Sequence, residues 1–477
     1  MLLVRAALIL LSTAPDSSYT CRVLVDHLQD KIEADYAGYL LEVRNTSRRA
    51  SYQAQLRALD ALADTTPPAR CYPLLNSLVT WFDDPHLFVY QSARLDSTES
   101  RRRGGLVVHR NLDEQSARAY FAVAHSLDPI EGIWHDGPTR FAVVRDSTAA
   151  GRFEAVLLDP DSTTWRPGDV RAAFRARSAG QYDGTVWLTN FAMRELNVTL
   201  HRRSLLRFSP GMWGKVYPLS PADSGVLDPV DVHRPTVVVR GTTVIVSIPS
   251  HDPGFRPHFD SLISAHDQDL RNATVLVVDL RGNEGGSSGM SNGLAPYLAS
   301  AHLKPDPLHF HRACMLSSPD QIAYASRAFG SDTTAFVKGL LERLRAAPGG
   351  LVPLSDPAEP AETTEPAPPV FGTARVAILI DRGTVSASEV LVAEAKRSER
   401  VTVFGEPTAG ALDYQSIQIV AIAPDEHRWF LGYPTITASA DLPRGGIRGK
   451  GIPPDVRLDW NRIADPIAEV ERLLGHR

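Results

Sequence analysis

A serine stands where a buried strand is predicted to turn directly into a helix. The run RVAILID, from Arg375 to Asp381, is apolar and β-branched, and SEVLVAEAK, which follows Ser386, has apolar residues at helical spacing. Only a short turn containing Gly383 separates the two runs. A serine in such a turn lies beside unpaired backbone N–H groups and the positive end of the helix dipole. Ser386 is therefore a candidate nucleophile, and the competing interpretation is an ordinary helix N-cap.

A glycine-rich turn ends another buried strand. The stretch VVDLRGNEGGSSGM, from Val277 to Met290, can present several backbone N–H groups in one direction, which suits an anion. It lacks the lysine of a phosphate loop, and its spacing is not that of G-x-G-x-x-G, so a nucleotide site is not indicated. The other anion that such a turn serves is the transient oxyanion of acyl transfer, which requires a nucleophile nearby.

Four motifs follow one another in a fixed order: VVDLRGNEGG, DRGTVSASE, VFGEPTAG and GKGIPPDVRLD. In this order they resemble the tail-specific, or C-terminal processing, serine peptidase family, which also includes the tricorn core and the interphotoreceptor retinoid-binding protein repeats. The resemblance covers most of Thr236 to Asp459. The segment DDPHLFVY, from Asp83 to Tyr90, resembles the D-G-H-T segment of relatives and extends it toward the N-terminus. The resemblance implies an α/β fold whose catalytic core is a crotonase-like ββα spiral.

The resemblance assigns roles to individual residues. The first serine of S-A-S-E, Ser386, matches the family nucleophile. The N–H of Ala387, together with an N–H from Gly285 or Gly286, would form the oxyanion hole. This agrees with the position of the serine at the first turn of a helix, where backbone amides have no partner.

The general base departs from one branch of the family. In the processing proteases a lysine follows G-E-P-T-x-G, but here that position is Ala411. The tricorn branch uses a histidine from the segment before the core, which points to His86. A histidine can act as a base near neutral pH without any change in its environment. The resemblance therefore places this chain closer to the tricorn and retinoid-binding branch than to the Ser–Lys proteases.

The group that would orient the histidine is not identified by the sequence. Pro85 stands where the tricorn branch has a serine, and Arg448 stands where an orienting acid is expected. Asp83 or Asp84 could orient the imidazole, or could merely cap a turn. Glu389 could act on the serine hydroxyl, although a charge in the first turn of a helix is its simpler interpretation. A missing acid weakens catalysis because the imidazole tautomer is no longer fixed.

The remaining chain supplies the elements that must position these residues. Helical periodicity dominates the first part, short β-rich runs with Gly, Pro and Asp turns follow, and strands then alternate with helices. The organisation predicted is a signal peptide (1–20), a helical domain carrying DDPH (21–105), a small antiparallel β module without a recognisable PDZ motif (106–230) and an α/β catalytic domain (231–477) with a Pro/Glu-rich loop at 354–370. WRPGDV in the β module is predicted to be a turn with an aromatic anchor.

Composition excludes several classes of function. The 477 residues are 43% hydrophobic and 22% charged with a formal net charge of -5, which gives no signature of nucleic-acid binding. No metal set or cofactor motif is present, and no segment after the N-terminus is apolar enough for stable membrane insertion. If the signal peptide is real, the protein is periplasmic or extracellular and Cys21 can pair with Cys71; otherwise it is cytoplasmic with three buried thiols.

Two functions follow as expectations. The first is a serine endopeptidase that hydrolyses peptides or unfolded proteins through an acyl-enzyme on Ser386, with a histidine base. The second is a noncatalytic family member that binds a peptide or an apolar ligand in the same cleft. The sequence does not indicate the oligomeric state.

Overall fold

The computed structural model of the protein describes residues 19–475, apart from 68–70, 92–96, 161–163, 209–210, 220–225, 229, 302, 305–312, 330–333, 356–373 and 425–428. Residues 1–18 of the predicted signal peptide and residues 356–370 of the Pro/Glu-rich loop lie outside the described part. Within that part, no helix is both long and apolar enough to cross a membrane.

Helices and strands are both abundant. The helices are α1 (Cys21–Asp35), α2 (Ala37–Glu42), α3 (Arg49–Ala63), α4 (Tyr72–Thr80), α5 (Ser97–Gly104), α6 (Glu114–Val123), α7 (Arg256–Ala265), α8 (Asp267–Asn272), α9 (Ala295–Leu298), α10 (Pro319–Phe329), α11 (Ala335–Ala346), α12 (Ala387–Ala395) and α13 (Pro466–Gly475). The strands are β1 (Phe88–Gln91), β2 (Gly132–Asp136), β3 (Thr139–Arg145), β4 (Arg152–Asp159), β5 (Val170–Ser178), β6 (Gln181–Trp187), β7 (Met193–His201), β8 (Leu205–Phe208), β9 (Met212–Tyr217), β10 (Thr236–Arg240), β11 (Thr243–Ser247), β12 (Val275–Asp279), β13 (Cys314–Leu316), β14 (Leu351–Pro353), β15 (Arg375–Ile380), β16 (Val401–Gly405), β17 (Tyr414–Ala421), β18 (Trp429–Thr437) and β19 (Val456–Arg457). The fold is therefore a mixed helix-and-sheet fold.

The chain divides into two compact units, each made of three segments. The first unit takes the described parts of Met1–Ala93, Asp306–Glu365 and Gly410–Gly451. Its core joins helices α1 to α4 to a sheet in which β18 pairs with β17 on one side and with β1 and β13 on the other. The helical segment predicted near the N-terminus is thus packed on strands that come from the C-terminal third of the sequence.

The same unit contains a covalent link. Cys21 and Cys71 are joined by a disulfide with their Cα atoms 5.5 Å apart, and Cys314 is a buried thiol. The pairing that the sequence left open is therefore the one adopted. It ties the start of α1 to the residue before α4.

The second unit takes the described parts of Arg94–Pro305, Pro366–Ala409 and Ile452–Arg477. It contains a six-stranded sheet in the order β10, β11, β12, β15, β16, β19, in which all neighbours after β10 and β11 are parallel. The strands are continuous apolar runs because both faces are covered. In the register of the sheet, Asp279 at the end of β12 lies opposite Leu379 near the end of β15. The glycine turn and the serine turn therefore start side by side at the carboxyl edge.

The β module of the sequence analysis is a closed antiparallel barrel. Strands β2 to β9 pair in order, and β9 returns to β2. Its interior is filled by aromatic and aliphatic side chains, such as Trp134, Phe141 and Trp213, rather than by a channel. Trp165 of WRPGDV is buried with the guanidinium of Arg171 4.9 Å above its ring, so the predicted aromatic anchor is present.

The segment predicted as a β module also contains a helix. Residues 114–123 form helix α6. The helix begins where the Asp113 carboxylate accepts a hydrogen bond from the Ser116 N–H at 2.7 Å, which is an N-cap. Its buried residues Ala117 and Phe121 are four apart and lie on one face against the barrel.

Candidate active site

Ser386 occupies a strained turn at the start of α12. Its backbone has φ 58° and ψ −118°, a combination that side-chain-bearing residues rarely adopt and that costs on the order of 1–3 kcal/mol. The residue is the N-cap of the helix, as the simpler interpretation of the sequence required, and it is only partly buried. Strain at a partly exposed serine between a strand and a helix is what distinguishes a nucleophile turn from an ordinary cap.

Glu389 holds this strained backbone in place. Its side chain is fully buried, and one carboxylate oxygen accepts the Ser386 N–H at 2.9 Å. The other oxygen accepts the hydroxyl of Thr408 at 2.6 Å. Both oxygens of Glu389 are thus engaged in fixing the turn. An auxiliary action of Glu389 on the serine hydroxyl stays a prediction.

The glycine turn packs directly against the serine. A Cβ added to Gly285, which has φ 90°, would lie 2.8 Å from Ser386 Cβ and 2.9 Å from the Ala387 nitrogen. Gly286 has φ 137°, and a Cβ there would lie 2.2 Å from the carbonyl oxygen of His251. Both positions therefore need glycine for two reasons, backbone conformation and space.

The two glycines differ in what their N–H groups do. The Gly285 N–H donates to Asn283 Oδ1 at 2.8 Å, so it is already used. Among the described residues, no acceptor is assigned to the N–H of Gly286 or of Ala387. Ala387 is the first residue of α12, a position without an intrahelical partner. Of the N–H groups that the sequence singled out, those of Gly286 and Ala387 remain for an oxyanion.

Asn283 fastens the two turns to each other. Its carbonyl oxygen accepts hydrogen bonds from the Val385 N–H and from the Ser388 hydroxyl, both at 2.9 Å. Its side-chain amide donates to Nδ1 of His251 at 2.8 Å, while Nε2 of His251 lies 3.1 Å from the Ser291 hydroxyl. Burial lowers the pKa of His251 to about 4, so the imidazole is neutral and can accept this bond.

Asp381 binds the same two turns from the strand ends. Its Oδ1 accepts the N–H groups of Gly282 and Gly383, each at 2.9 Å, and its Oδ2 accepts Nδ1–H of His201 at 2.8 Å. Burial alone would raise the pKa of Asp381, but His201 and the Gly282 N–H lower it well below the ordinary range. The carboxylate is therefore charged at all ordinary pH values.

The barrel contributes Arg207 to this arrangement. The buried guanidinium donates to the carbonyl oxygen of Gly383 at 2.7 Å, to that of Gly282, and to the Glu284 carboxylate. Burial lowers its pKa to about 9, which leaves it charged at neutral pH. Strands β7 and β8 thus reach both turns, through His201 and Arg207. Neither residue lies in a recognisable motif, so sequence reasoning missed them.

The candidate base lies in the first unit. Nδ1 of buried His86 lies 2.5 Å from the carbonyl oxygen of Tyr414. A carbonyl only accepts, so Nδ1 carries a proton, and the lone pair of the neutral tautomer is on Nε2. Asp84 does not contact the ring: it accepts the backbone N–H of His86 at 2.9 Å and the hydroxyl of Tyr36 at 2.7 Å. Burial raises the pKa of Asp84.

The positions that departed from the family pattern also lie in this unit. Ala411, at the position of the lysine in the processing proteases, is buried. Arg448 forms an ion pair with buried Glu42, and the hydroxyl of Tyr414 donates to the same carboxylate at 2.6 Å. Glu42, which also pairs with Arg48, thus holds the cation that stands where an acid was expected. No sequence motif pointed to it, because it comes from α2, far away in the chain.

The structure therefore places the site residues in two groups. Ser386, Ala387, Gly285, Gly286 and Glu389 lie together in the second unit. His86 and Asp84 lie in the first unit with Tyr414. Across the described residues, no group of three or more His, Cys, Asp or Glu side chains is arranged to hold a metal ion.

A strained serine against a glycine turn with unpaired amides is the arrangement of a serine-type hydrolase. Comparison agrees with this: residues 243–458, a little under half of the chain, match the sequence model of peptidase family S41. The match supports a serine-type peptidase. No curated protein matches the chain.

The chain also matches several solved structures at low sequence identity. Mature CPAF complexed with lactacystin has 13% identity and a TM-score of 0.45, covering 96% of this chain and 98% of that one. The photosystem II D1 C-terminal processing protease has 14% identity and a TM-score of 0.36, covering 96% and 97%. A putative S41 protease from Bacteroides fragilis has 11% identity and a TM-score of 0.38, covering 98% and 100%.

The unpaired N–H of Gly286 gives a prediction. We expect Gly286→Ala to lower the rate of Ser386 phosphonylation by a fluorophosphonate, in which the serine oxygen displaces fluoride from phosphorus, at least about a hundredfold, because the new Cβ meets the His251 carbonyl and moves an oxyanion donor. The control is Gly241→Ala, where φ is also positive (61°) but no atom lies within 4 Å. Equal rates for the two variants would show that the glycine turn does not serve the oxyanion.

The neutral imidazole of His251 gives a pH dependence. Its pKa is about 4 in the folded protein against an ordinary 6.5, so the unfolded chain takes up the proton first. Its contribution to stability is complete above about pH 6.5 and is lost as the pH falls toward 4, by about 3 kcal/mol. Urea unfolding between pH 7.5 and 4.5 measures this, and His251→Gln should have the shallower decline. Identical declines would contradict the assignment.

The planar guanidinium of Arg207 gives a third test. Arg207→Lys keeps the charge, but one ammonium nitrogen cannot hold both the two carbonyl oxygens that Nη1 contacts and the Glu284 carboxylate that Nε contacts. We therefore expect labelling of Ser386 by a fluorophosphonate to slow by about tenfold or more. Arg175→Lys is the matched control, since Arg175 is an exposed barrel residue that pairs with Asp183. The proposed role of Arg207 is refuted if Ser386 is labelled at the same rate in the Arg207→Lys and Arg175→Lys variants.

Proposed function

We propose that this protein is a serine endopeptidase that hydrolyses peptide bonds through an acyl-enzyme on Ser386, with His86 as general base. The observation that carries the proposal is the strained backbone of Ser386 beside the unpaired N–H groups of Ala387 and Gly286. The sequence order of the family motifs supports it, and so does the match to peptidase family S41.

The chemistry follows the usual order for acyl transfer. Ser386 Oγ attacks the peptide carbonyl carbon while Nε2 of His86 takes the hydroxyl proton, and the carbonyl oxygen becomes an oxyanion bound by the N–H groups of Ala387 and Gly286. Collapse of the intermediate breaks the C–N bond, and the imidazolium returns its proton to the leaving amine. Water then attacks the ester by the same route and releases the acid.

The partner of His86 distinguishes this site from a full triad. A backbone carbonyl, that of Tyr414, fixes the tautomer that a base requires. It carries no full charge, so it stabilises the imidazolium less than a carboxylate would. We therefore propose a histidine base with correct orientation but modest strength, and place the chain nearer the tricorn and retinoid-binding branch. The α/β sheet of the second unit would then be the crotonase-like core.

A noncatalytic role is the second candidate. Within the described residues no carboxylate contacts the ring of His86, and Arg448 is held by Glu42 where an acid was expected. A protein of this kind would bind peptides or an apolar ligand without turning them over. Its serine turn would then be a remnant of an active ancestor.

The proposed location is an oxidising compartment. The support is the disulfide between Cys21 and Cys71, because such bonds persist mainly in exported proteins. The predicted signal peptide agrees with this location. The oligomeric state is not part of the proposal.

Labelling with a fluorophosphonate separates the two candidates. Wild-type protein should acquire one label, mapped by mass spectrometry to the peptide that contains Ser386, and Ser386→Ala should acquire none. His86→Ala should react at least about a hundredfold more slowly, because the general base is lost.

Two comparisons make the result decisive. His109→Ala removes a half-exposed histidine of the second unit that pairs with Asp169, and it should react like wild type. If folded wild-type protein takes no label, the peptidase proposal fails and the noncatalytic one stands. If His86→Ala keeps the wild-type rate, the serine is reactive but its base is another residue.

A further inference from the structure

One strand of the first unit has an unpaired edge. Among the described residues, β17 pairs only with β18, from Tyr414 opposite Thr437 to Ala421 opposite Phe430. The other edge of β18 is taken by β1 and β13. The outer edge of β17 is therefore the end of the sheet on this side.

The register shows which backbone groups face outward. The Ile422 N–H donates to the carbonyl oxygen of Trp429 at 3.1 Å, so these two residues face each other as a hydrogen-bonded pair. Pairs alternate in an antiparallel ladder, so Ile417, Ile419 and Ala421 point their N–H and C=O groups away from β18. Pro434, which lies opposite Ile417 and has no N–H to give, agrees with this alternation.

The side chains of this edge are also unusual. Ile417 and Ile419 are 40% and 54% exposed, and the strand YQSIQIVA contains no charge and no proline. Edge strands of natural proteins normally carry a charged residue or a proline, because an unprotected edge can pair with a strand of another chain. A backbone ladder with exposed aliphatic residues at alternate positions is complementary to an extended polypeptide of the same character.

Strand β17 also contacts the candidate base, His86. Tyr414, its first residue, is the residue whose carbonyl oxygen accepts Nδ1–H of His86. The pairing passes from Gln415 to Ile417 without Ser416, which has φ 60°, so one irregular residue separates this contact from the regular ladder that starts at Ile417. A chain paired with Ile417 to Ala421 would thus lie on the strand that also orients the imidazole.

We propose that the outer edge of β17 binds an extended polypeptide as an added strand, with aliphatic side chains of the ligand packing beside Ile417 and Ile419. Recognition would rest on main-chain hydrogen bonds, so the ligand is an unfolded segment rather than a folded partner. That this segment is the substrate rests on the proposed peptidase function. Pairing with a second copy of this chain is the alternative occupant.

The test measures binding without cleavage. A fluorescein-labelled peptide of alternating valine and threonine is titrated with Ser386→Ala protein, and binding is followed by fluorescence anisotropy. Adding Ile419→Pro removes one outward N–H without taking a bond from β18 and should raise Kd by about tenfold or more. Adding Ile419→Thr instead keeps the N–H and the β-branched shape, so it should raise Kd by only about threefold.

A second measurement covers the chance that the proline variant does not fold. Peptides that are N-methylated at odd or at even positions are titrated with Ser386→Ala protein in which β17 is unchanged. If the peptide pairs with the strand, methylation at one set of positions weakens binding and methylation at the other set does not. Equal loss for both sets, or an unchanged Kd for folded Ile419→Pro, overturns the proposal. Dissociation of a wild-type dimer by Ile419→Pro in sedimentation also overturns it, in favour of a second copy.

The outcomes separate this inference from the peptidase proposal. Binding that depends on alternate N–H groups, in a protein that takes no fluorophosphonate label, supports the edge and refutes the catalysis. Labelling of Ser386 in a protein that does not bind the peptide in this way supports the catalysis and refutes the binding edge.

Discussion

The carboxylate of Asp381 is the constraint on which the candidate active site depends. Asp381 is buried at the end of β15. Its Oδ1 accepts two N–H groups, that of Gly282 in the glycine turn and that of Gly383 in the serine turn. Because parallel neighbours β12 and β15 end side by side, a single carboxylate can reach both turns. Asn283 and Glu389 then fix the finer positions. The strain at Ser386 persists because this network over-determines it.

Local sequence motifs predicted the two turns of the candidate active site. The apolar runs and glycines around Ser386 and Gly286 predict strand, turn and helix because those preferences act between near neighbours. What the sequence could not show are contacts made across long separations by ordinary residues. Arg207 and His201 reach the turns from a barrel whose closure leaves no local signal, and Glu42 meets Arg448 from the other end of the chain. Helix α6 was missed because its cap at Asp113 is a single polar residue.

The first unit shows how an imidazole can be oriented without an acid beside it. The Tyr414 carbonyl fixes the tautomer of His86, the Asp84 carboxylate holds its backbone, and Glu42 pairs with both Arg448 and Arg48. Orientation and charge stabilisation, which a triad carboxylate supplies together, are here separated. Under the proposed function, the serine would be well placed and the base would be weaker than in a full triad. The same strand, β17, offers an unprotected edge for an extended chain.

The most direct test of the account is a crystal structure of the protein with a peptide aldehyde. We predict continuous density from Ser386 Oγ to a tetrahedral carbon, with the former carbonyl oxygen ~3 Å from the nitrogens of Ala387 and Gly286. An adduct whose oxygen points away from both nitrogens, or an aldehyde bound without a covalent link, would contradict the assignment of this turn as the catalytic centre.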